Sequence, residues 1–189
     1  EEISCDCICV SGNWTPTVHL SSQSGNKLKF NEKINAFIPN QPRQNESTVG
    51  AANGSFTLKK SLEEGFNKGF ELSNKITKKN IKSTIPSSNE RSNDEHNKFW
   101  CMPLPKNKQY KRCVDFQNDV FVSDIELAIR EGFRSIEHVK RYTTTGMGTD
   151  QGKLGNMHAL GIIADTAGVK MGELGTTTFR PPYTPLTFG

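Results

Sequence analysis

Apolar positions along the chain first form a short continuous run and later recur at helical spacing. Residues 3–10 are that run, which predicts a buried strand. Cys5, Cys7 and Cys9 would share one face of it, spaced about 7 Å apart, too far for neighbours to form a disulfide. We interpret them as small core residues, because cysteines that bind zinc are more often spaced as C-x2-C.

A brief strand and a longer helix are predicted next. The strand begins at Ala36 and ends near Pro39. A turn flanked by Gly50 and Gly54 then leads into a helix, because apolar side chains follow it mostly at every fourth position. These positions are Phe56, Leu58, Leu62, Phe66 and Phe70. A small-residue turn that opens a helix offers backbone N–H groups and the positive end of the helix dipole to a phosphate or a ribose.

The middle of the chain marks a change of composition. Residues 74–97 contain few large apolar side chains and many Asn, Ser and Lys, which is typical of a linker or a mobile excursion. We therefore divide the chain into a first part, 1–73, and a second part, 98–173. The proline-rich tail, 174–189, is predicted to be an extended connector.

The second part is predicted to be a module of three short helices. Ser123 is placed to cap the first, with Glu126 at the capping-box position. Ser135 is placed to cap the second. The third extends from about Asn156 to Ala167 and closes at Gly168. A glycine-rich loop, GMGTDQGKLG, precedes this third helix and raises the question of phosphate binding.

Composition and charge narrow the class of protein. A hydrophobic content of 33% and a mean hydropathy of −0.61 are typical of a soluble chain. No stretch approaches the roughly 20 apolar residues of a membrane helix. The net charge is +4, but the excess lysines lie among Asn and Ser rather than aromatics, which argues against nucleic-acid binding. An odd number of cysteines and the lack of a signal sequence favour the reducing cytoplasm.

Residues for self-contained catalysis are few. The four histidines are scattered, and no Gly-x-Ser-x-Gly, His-Glu-x-x-His or P-loop pattern occurs. Asp115, Asp119 and Asp124 could form a carboxylate cluster. Asp124 is better explained as a favourable charge in the first turn of a helix, and Asp119 as a turn residue. We expect the chain to supply part of a site rather than a whole one.

Three stretches of the sequence resemble a known family. They are VSGNWTPTVHLSSQSGNKLKFNE, VDFQNDVFVSDIELAIREGFRSIEHVKRYTTTGMGTDQGK and GTTTFRPPYTPLTFG. All three resemble the alpha subunits of heterotetrameric sarcosine oxidases, and the resemblance covers most of the chain except residues 74–97. It implies a mixed α+β fold, in which the end of an α/β dinucleotide-binding, flavoprotein-reductase-like domain precedes the small helical module.

The helical module resembles the cysteine-ligated [2Fe-2S] domains of related amine dehydrogenases. On that pattern Asp115 and Gln117 stand at the first two ligand positions, and Asp150 and Gly155 stand at the last two. Iron–sulfur clusters are held by cysteine thiolates, and all four are absent here. We therefore expect no iron–sulfur cluster and no other metal.

The resemblance also implies a partial NAD site at the turn that opens the first long helix. Ala51 stands where related reductases carry an aspartate, so contacts would come from the backbone and from packing. The residues expected near NAD are Ala51, Ala52, Phe56 and Leu58. The glycine-rich phosphate fingerprint would lie upstream of these residues.

A second cofactor expectation concerns flavins. The family carries FMN between the alpha and beta subunits and FAD on beta, binds tetrahydrofolate on a separate domain, and includes gamma and delta subunits. Lys140, Arg141 and Lys153 are candidates to neutralise a flavin phosphate, and Thr143, Thr144 and Thr145 to donate hydroxyl hydrogen bonds. Alternatively, these threonines cap a helix end and the basic side chains face solvent.

The expected function is a share in the oxidation of sarcosine to glycine, with formation of hydrogen peroxide and methylenetetrahydrofolate. One alternative is a subunit of another secondary-amine or imino-acid dehydrogenase, of the proline or octopine type, which should keep the cluster cysteines. The other is a cofactor-free scaffold module.

Overall fold

Two β-hairpins and several helices form a mixed α/β fold. The computed structural model describes residues 3–7, 14–78, 84–89, 98–104, 110–181, 184 and 186–188. In chain order the elements are α1 (His19–Gln23), β1 (Lys27–Asn31), β2 (Ala36–Gln41), a 3-10 turn (Gly50–Asn53), α2 (Leu58–Thr77), β3 (Cys113–Asp115), β4 (Val120–Phe121), α3 (Val122–Arg130), α4 (Ile136–Thr143), α5 (Asn156–Ala167) and α6 (Met171–Leu174).

The first hairpin pairs β1 with β2 in antiparallel register, which confirms the predicted strand at Ala36. Phe30 lies opposite Phe37, and their ring centroids are 5.2 Å apart in an edge-to-face arrangement. Phe37 is buried and belongs to the same hydrophobic core as the helices of the second part. The hairpin is therefore fixed against the helical module.

The predicted strand at residues 3–10 is wrong for its described part. Residues 3–7 have no strand structure and are exposed, so Cys5 and Cys7 are not core residues. Cys9 lies outside the described residues. Within the described chain the sheets pair only β1 with β2 and β3 with β4. An apolar run becomes a buried strand only where another strand pairs with it.

The main core lies between α3, α4, α5 and the second hairpin. Ile125, Val139 and Ile163 have 0% of their surface exposed, one from each of the three helices. In α3 and α4 the buried apolar positions recur at three- and four-residue intervals, whereas α5 is buried over the consecutive residues 159–164. The helices thereby hold the glycine-rich loop, which joins α4 to α5.

The predicted helix α5, closed by Gly168, is confirmed, but the expected cap of α3 is not. Helix α3 begins at Val122, because β4 leads directly into it, so Ser123 already lies inside the helix. The Phe121 N–H donates to Asp124 Oδ2 at 2.8 Å. Asp124 thus holds the helix start, and Glu126 has no part in a capping box.

Helix α2 extends to Thr77, so its last turn lies inside the segment predicted to be a linker. None of its residues is buried, and it packs mainly against the 3-10 turn. Among the described helices, none is long and apolar enough to cross a membrane.

Candidate functional site

Asp115 joins the second hairpin to the glycine-rich loop. Its side chain is buried, and Oδ2 accepts a hydrogen bond from the Gly146 N–H at 2.7 Å, across 31 residues of chain. The backbone N–H groups of Gln117 and Asn118 donate to Oδ1 at 2.8 and 3.2 Å. Burial by itself would raise the pKa of this carboxyl group, but these hydrogen bonds lower it below its ordinary value. Asp115 is therefore a charged structural anchor.

The other three cluster-like positions also converge. Gln117 Oε1 accepts a hydrogen bond from the Asp150 N–H at 3.3 Å, and Gln117 Nε2 donates to Thr149 Oγ1 at 3.2 Å. A Cβ atom on Gly155 would lie 2.7 Å from the Val114 carbonyl oxygen. Protein atoms therefore fill the space between these positions.

These positions do not fit an iron–sulfur cluster. Their polar side chains are two carboxylates and an amide, each of which accepts a hydrogen bond from a backbone N–H group, and at Gly155 there is no space for a side chain. Among the described residues, no group of three His, Cys, Asp or Glu side chains could hold a metal ion.

The glycine-rich loop folds around the side chain of Asn156. Gly146 and Gly152 have φ angles of 70° and 73°, which L-residues rarely adopt. A Cβ atom on either would lie within 2.5 Å of the Asn156 side chain. Asn156 Nδ2 in turn donates to Thr177 Oγ1 at 3.0 Å, which attaches the tail to the loop. The loop is closed on itself rather than shaped as an open phosphate cradle.

The three threonines lie at the C-terminal end of α4. Thr143 Oγ1 donates to the Val139 carbonyl oxygen at 2.8 Å, and the Thr143 and Thr145 hydroxyl oxygens are 2.6 Å apart. Thr145 is only 1% exposed. Thr144 is exposed, and its hydroxyl donates to the Thr143 carbonyl oxygen. These bonds stabilise the helix end, and contact of the threonines with a flavin stays a prediction.

Lys140 and Arg141 lie in an open groove of about 740 Å³ between α4, the glycine-rich loop and the tail. The tail contributes Arg180, a third cation. One carboxylate, Glu137, also lines the groove, and its Oε2 lies 3.5 Å from Arg141 Nη2. The groove is lined by Glu137, Lys140, Arg141, Gly146, Met147, Gln151, Thr176, Thr178 and Arg180. Three cations against one carboxylate suit an anionic ligand.

Lys153 does not share this groove. It lines two other cavities, one of which it shares with His19 and Phe179. The rings of His19 and Phe179 have centroids 3.8 Å apart. Burial, and then the positive charge of Lys153, lower the pKa of His19. The structure therefore separates Lys153 from the other two predicted basic residues.

The turn before α2 is held together by one carboxylate. Glu64 accepts a hydrogen bond from the Gly50 N–H at 2.8 Å and another from the Ser55 hydroxyl. Ala51 is exposed, Ala52 is half-buried, and Leu58 is 57% exposed. A phosphate beside Glu64 would be repelled by its carboxylate, so the turn disfavours a phosphate group.

The fold matches that of a solved dehydrogenase. L-proline dehydrogenase from P. horikoshii superimposes with a TM-score of 0.67 at 18% sequence identity, over 92% of this chain and 36% of that one. At this identity the match shows the fold alone.

Sequence comparisons then define the family. Residues 109–189 match the family described as the sarcosine oxidase A3 domain. The whole chain is 37% identical over 190 residues to the alpha subunit of sarcosine oxidase from Rhizobium meliloti (strain 1021), covering 19% of that protein. It is 34% identical over 193 residues to the alpha subunit of the Corynebacterium sp. (strain P-1) enzyme, covering 20%. An opine oxidase subunit from the same R. meliloti strain is 34% identical over 71 residues, which is 38% of this chain and 16% of that protein.

The chain is therefore homologous to sarcosine oxidase alpha subunits over its whole length, and residues 109–189 match the A3 domain model of that family. This confirms the resemblance predicted from the sequence. The chain spans about a fifth of the length of these relatives.

Sequence reasoning missed the contribution of the tail to the groove. Arg180, Thr176 and Thr178 fall in the predicted extended connector, whereas the tail folds back onto the module through the bond between Asn156 and Thr177. No local sequence pattern signals this return, because it depends on a hydrogen bond between residues that are 21 positions apart.

Proposed function

We propose that this chain forms part of the alpha subunit of a flavin-dependent sarcosine oxidase complex. The complete complex, with its beta, gamma and delta subunits, would convert sarcosine to glycine, hydrogen peroxide and methylenetetrahydrofolate in the cytoplasm. The cationic groove at Lys140, Arg141 and Arg180 supports this proposal most directly, because it lies within the residues that match the A3 domain.

In this proposal the groove receives the phosphate of an FMN at the interface with the beta subunit. Bound FMN would accept electrons from the amine-oxidising FAD of beta. Lys140 and Arg180 would neutralise the phosphate, and Glu137 would orient the Arg141 guanidinium beside it. We assign the hydroxyl donors to Thr176 and Thr178, because Thr143 and Thr145 bond to each other.

The turn before α2 would form one wall of an NAD site. Ala51 and Ala52 would contact NAD through their backbone and methyl groups, with Phe56 and Leu58 packing at the edge of the same surface. Since Glu64 already occupies the Gly50 N–H, the phosphates of NAD would have to be bound elsewhere in the subunit. This chain alone should therefore bind NAD weakly.

The groove can be tested in the assembled complex. We would express the full-length alpha subunit with its partner subunits and substitute Lys140→Ala together with Arg180→Ala. The expected result is at least a tenfold loss of bound FMN, or of the rate of electron transfer to it, with FAD content unchanged. Arg134→Ala, an exposed cation outside the groove, is the matched control. Unchanged FMN content and unchanged electron transfer in the double variant would contradict the proposal.

A second candidate function is favoured by the match to the opine oxidase subunit. In that case the same module would serve the oxidation of another secondary amine or imino acid. Turnover by the assembled complex with sarcosine, proline and octopine separates the two functions. A complex that lacks stoichiometric flavin and NAD would instead indicate a scaffold.

A further inference from the structure

The tail residues 176–180 contact their surroundings on alternate sides. Thr178 and Arg180 are exposed and line the cationic groove. Thr177 and Phe179 instead line a small internal cavity of about 40 Å³, and Thr177 is only 3% exposed. Successive side chains of an extended chain point to opposite sides, so the inward pair determines which side chains can face the groove. We call residues 176–180 the tail segment.

Two contacts hold the inward side chains, and they come from distant parts of the chain. Asn156, which begins α5, is buried, and its Nδ2 donates to Thr177 Oγ1 at 3.0 Å. His19, which begins α1, is also buried, and its ring centroid lies 3.8 Å from that of Phe179. A buried hydroxyl group needs a hydrogen-bond partner, and packed rings bury apolar surface. Both contacts therefore favour a single register of the tail segment.

The register of the tail segment affects the charge of the groove. A shift by one residue would exchange the two sides of an extended segment. Arg180 would then face the internal cavity, where burial of a guanidinium is costly. Lys140 and Arg141 lie on α4 and would stay in the groove, whereas the third cation is present only in the observed register. Thr176 lines both the groove and the cavity, so it does not distinguish the two registers.

We propose that Asn156 and His19 are positioning residues for the cationic groove. They hold Thr177 and Phe179 on the inner side of the tail segment, and thereby direct Arg180 towards the bound anion. This inference rests on the proposed function, in which that anion is the phosphate of FMN. It makes α1, near the start of the chain, a determinant of a site whose lining residues all lie between positions 137 and 180.

Cysteine labelling in the full-length alpha subunit tests the register without FMN. The Thr177→Cys and Thr178→Cys variants place a thiol on neighbouring residues, one buried and one exposed. Maleimide labelling at position 177 should be at least about tenfold slower than at position 178, because a buried thiol reacts only when the segment opens. Peptide mass spectrometry measures both rates. Adding His19→Ala to the Thr177→Cys variant should remove most of the protection. Equal labelling of the two single variants, or protection that His19→Ala leaves unchanged, would overturn the proposal.

The assembled complex tests the link to the groove. Thr177→Val keeps the shape of the side chain but loses the hydroxyl that accepts from Asn156, and His19→Ala removes the ring next to Phe179. Each should lower bound FMN, or the rate of electron transfer to it, at least about fivefold, with FAD content unchanged. Thr177→Ser keeps the hydroxyl and should retain the FMN. Thr166→Val, at an exposed threonine on α5 outside the groove, is the matched control.

A double-mutant cycle with Arg180→Ala separates positioning from general stability. If His19 acts through Arg180, His19→Ala should change the FMN readout less than about twofold in the Arg180→Ala background. Equal losses in both backgrounds would mean a merely structural role and would overturn the proposal. The proposed FMN site is tested separately: Arg180→Ala without any effect on FMN contradicts that site alone, while the labelling result still decides the register. Loss of FMN with Arg180→Ala, but not with Thr177→Val or His19→Ala, contradicts the positioning alone.

Discussion

The core helices α3 and α4 and helix α2 have similar amphipathic sequences but opposite surroundings. Ile125, Val139 and Ile163 in the core have 0% exposure, whereas α2 has no buried residue over twenty positions. Periodicity predicts that a helix forms, but only a packing partner buries its apolar face. Among the described residues, the apolar faces of the core helices are therefore buried, whereas that of α2 is not.

The largest expected effect comes from replacing isoleucine by alanine in the core and, for comparison, on α2. Ile163→Ala should lower the free energy of unfolding by about 2–5 kcal/mol, because it leaves a cavity in the core. Ile76→Ala should change it by less than about 0.5 kcal/mol, since the side chain is exposed. Urea denaturation of residues 1–189, followed by circular dichroism, measures both. Similar losses would show that the two regions do not differ in packing.

The anchor at Asp115 gives the next largest effect. Asp115→Asn removes the negative charge that accepts hydrogen bonds from three backbone N–H groups. It should lower the free energy of unfolding by about 2–3 kcal/mol. Because the folded-state pKa lies below the ordinary value of 3.8, the unfolded chain binds the proton first as the pH falls. The stabilisation is therefore complete above that value and is lost as the pH falls through the folded-state pKa.

Denaturation of both proteins between pH 7 and pH 2 tests this assignment. The stability gap between the natural chain and the Asp115→Asn variant should narrow only in acid. A gap that stays constant down to pH 2 would mean that the charge of Asp115 has no part in joining the hairpin to the loop. The Asp165→Asn variant, with an exposed carboxylate on α5, is the control.

Glycine substitutions should act with opposite sign in the two regions. Gly152→Ala places a Cβ atom 2.1 Å from the Asn156 side chain, on a residue whose φ angle is 73°. It should lower the free energy of unfolding by about 2 kcal/mol. Gly69→Ala meets open space in a helix and should stabilise α2 by up to about 1 kcal/mol. Hydrogen exchange of the two helices in residues 1–189 resolves these local changes. Loss of protection in both variants would contradict the open surroundings of Gly69.

Elements with a strong local signal were predictable from the sequence. Helix α5 was located because its apolar positions are dense and Gly168 ends it in the left-handed region. The family followed from long ungapped stretches. The cap of α3 was misassigned by two residues, because the signal of Ser123 competes with the pairing of β4, which determines where the helix can begin.

The parts that could not be predicted depend on contacts between distant residues. Arg180 reaches the groove because Thr177 bonds to Asn156, 21 residues away, and no local pattern encodes that return. The strand predicted for residues 3–7 was wrong because a contact is absent rather than present. Their apolar run suggested a strand, but the described chain provides no strand to pair with them. Local periodicity does not specify which surfaces meet.

The smallest expected effect concerns the first turns of α2, which has no buried residue, and of the core helix α4. Thr57 caps α2, and its Oγ1 accepts the Lys60 N–H at 3.3 Å, whereas Ser135 precedes α4 without a side-chain cap bond. Thr57→Ala should therefore destabilise the first turn of α2 by about 1 kcal/mol, and Ser135→Ala should have almost no effect. Since α2 has few tertiary contacts, its cap carries a larger share of its stability than a cap does in the core. Hydrogen exchange of the first-turn amides in α2 and α4 measures this share. Equal losses of protection at the two helix starts would show that packing, not capping, determines the stability of α2.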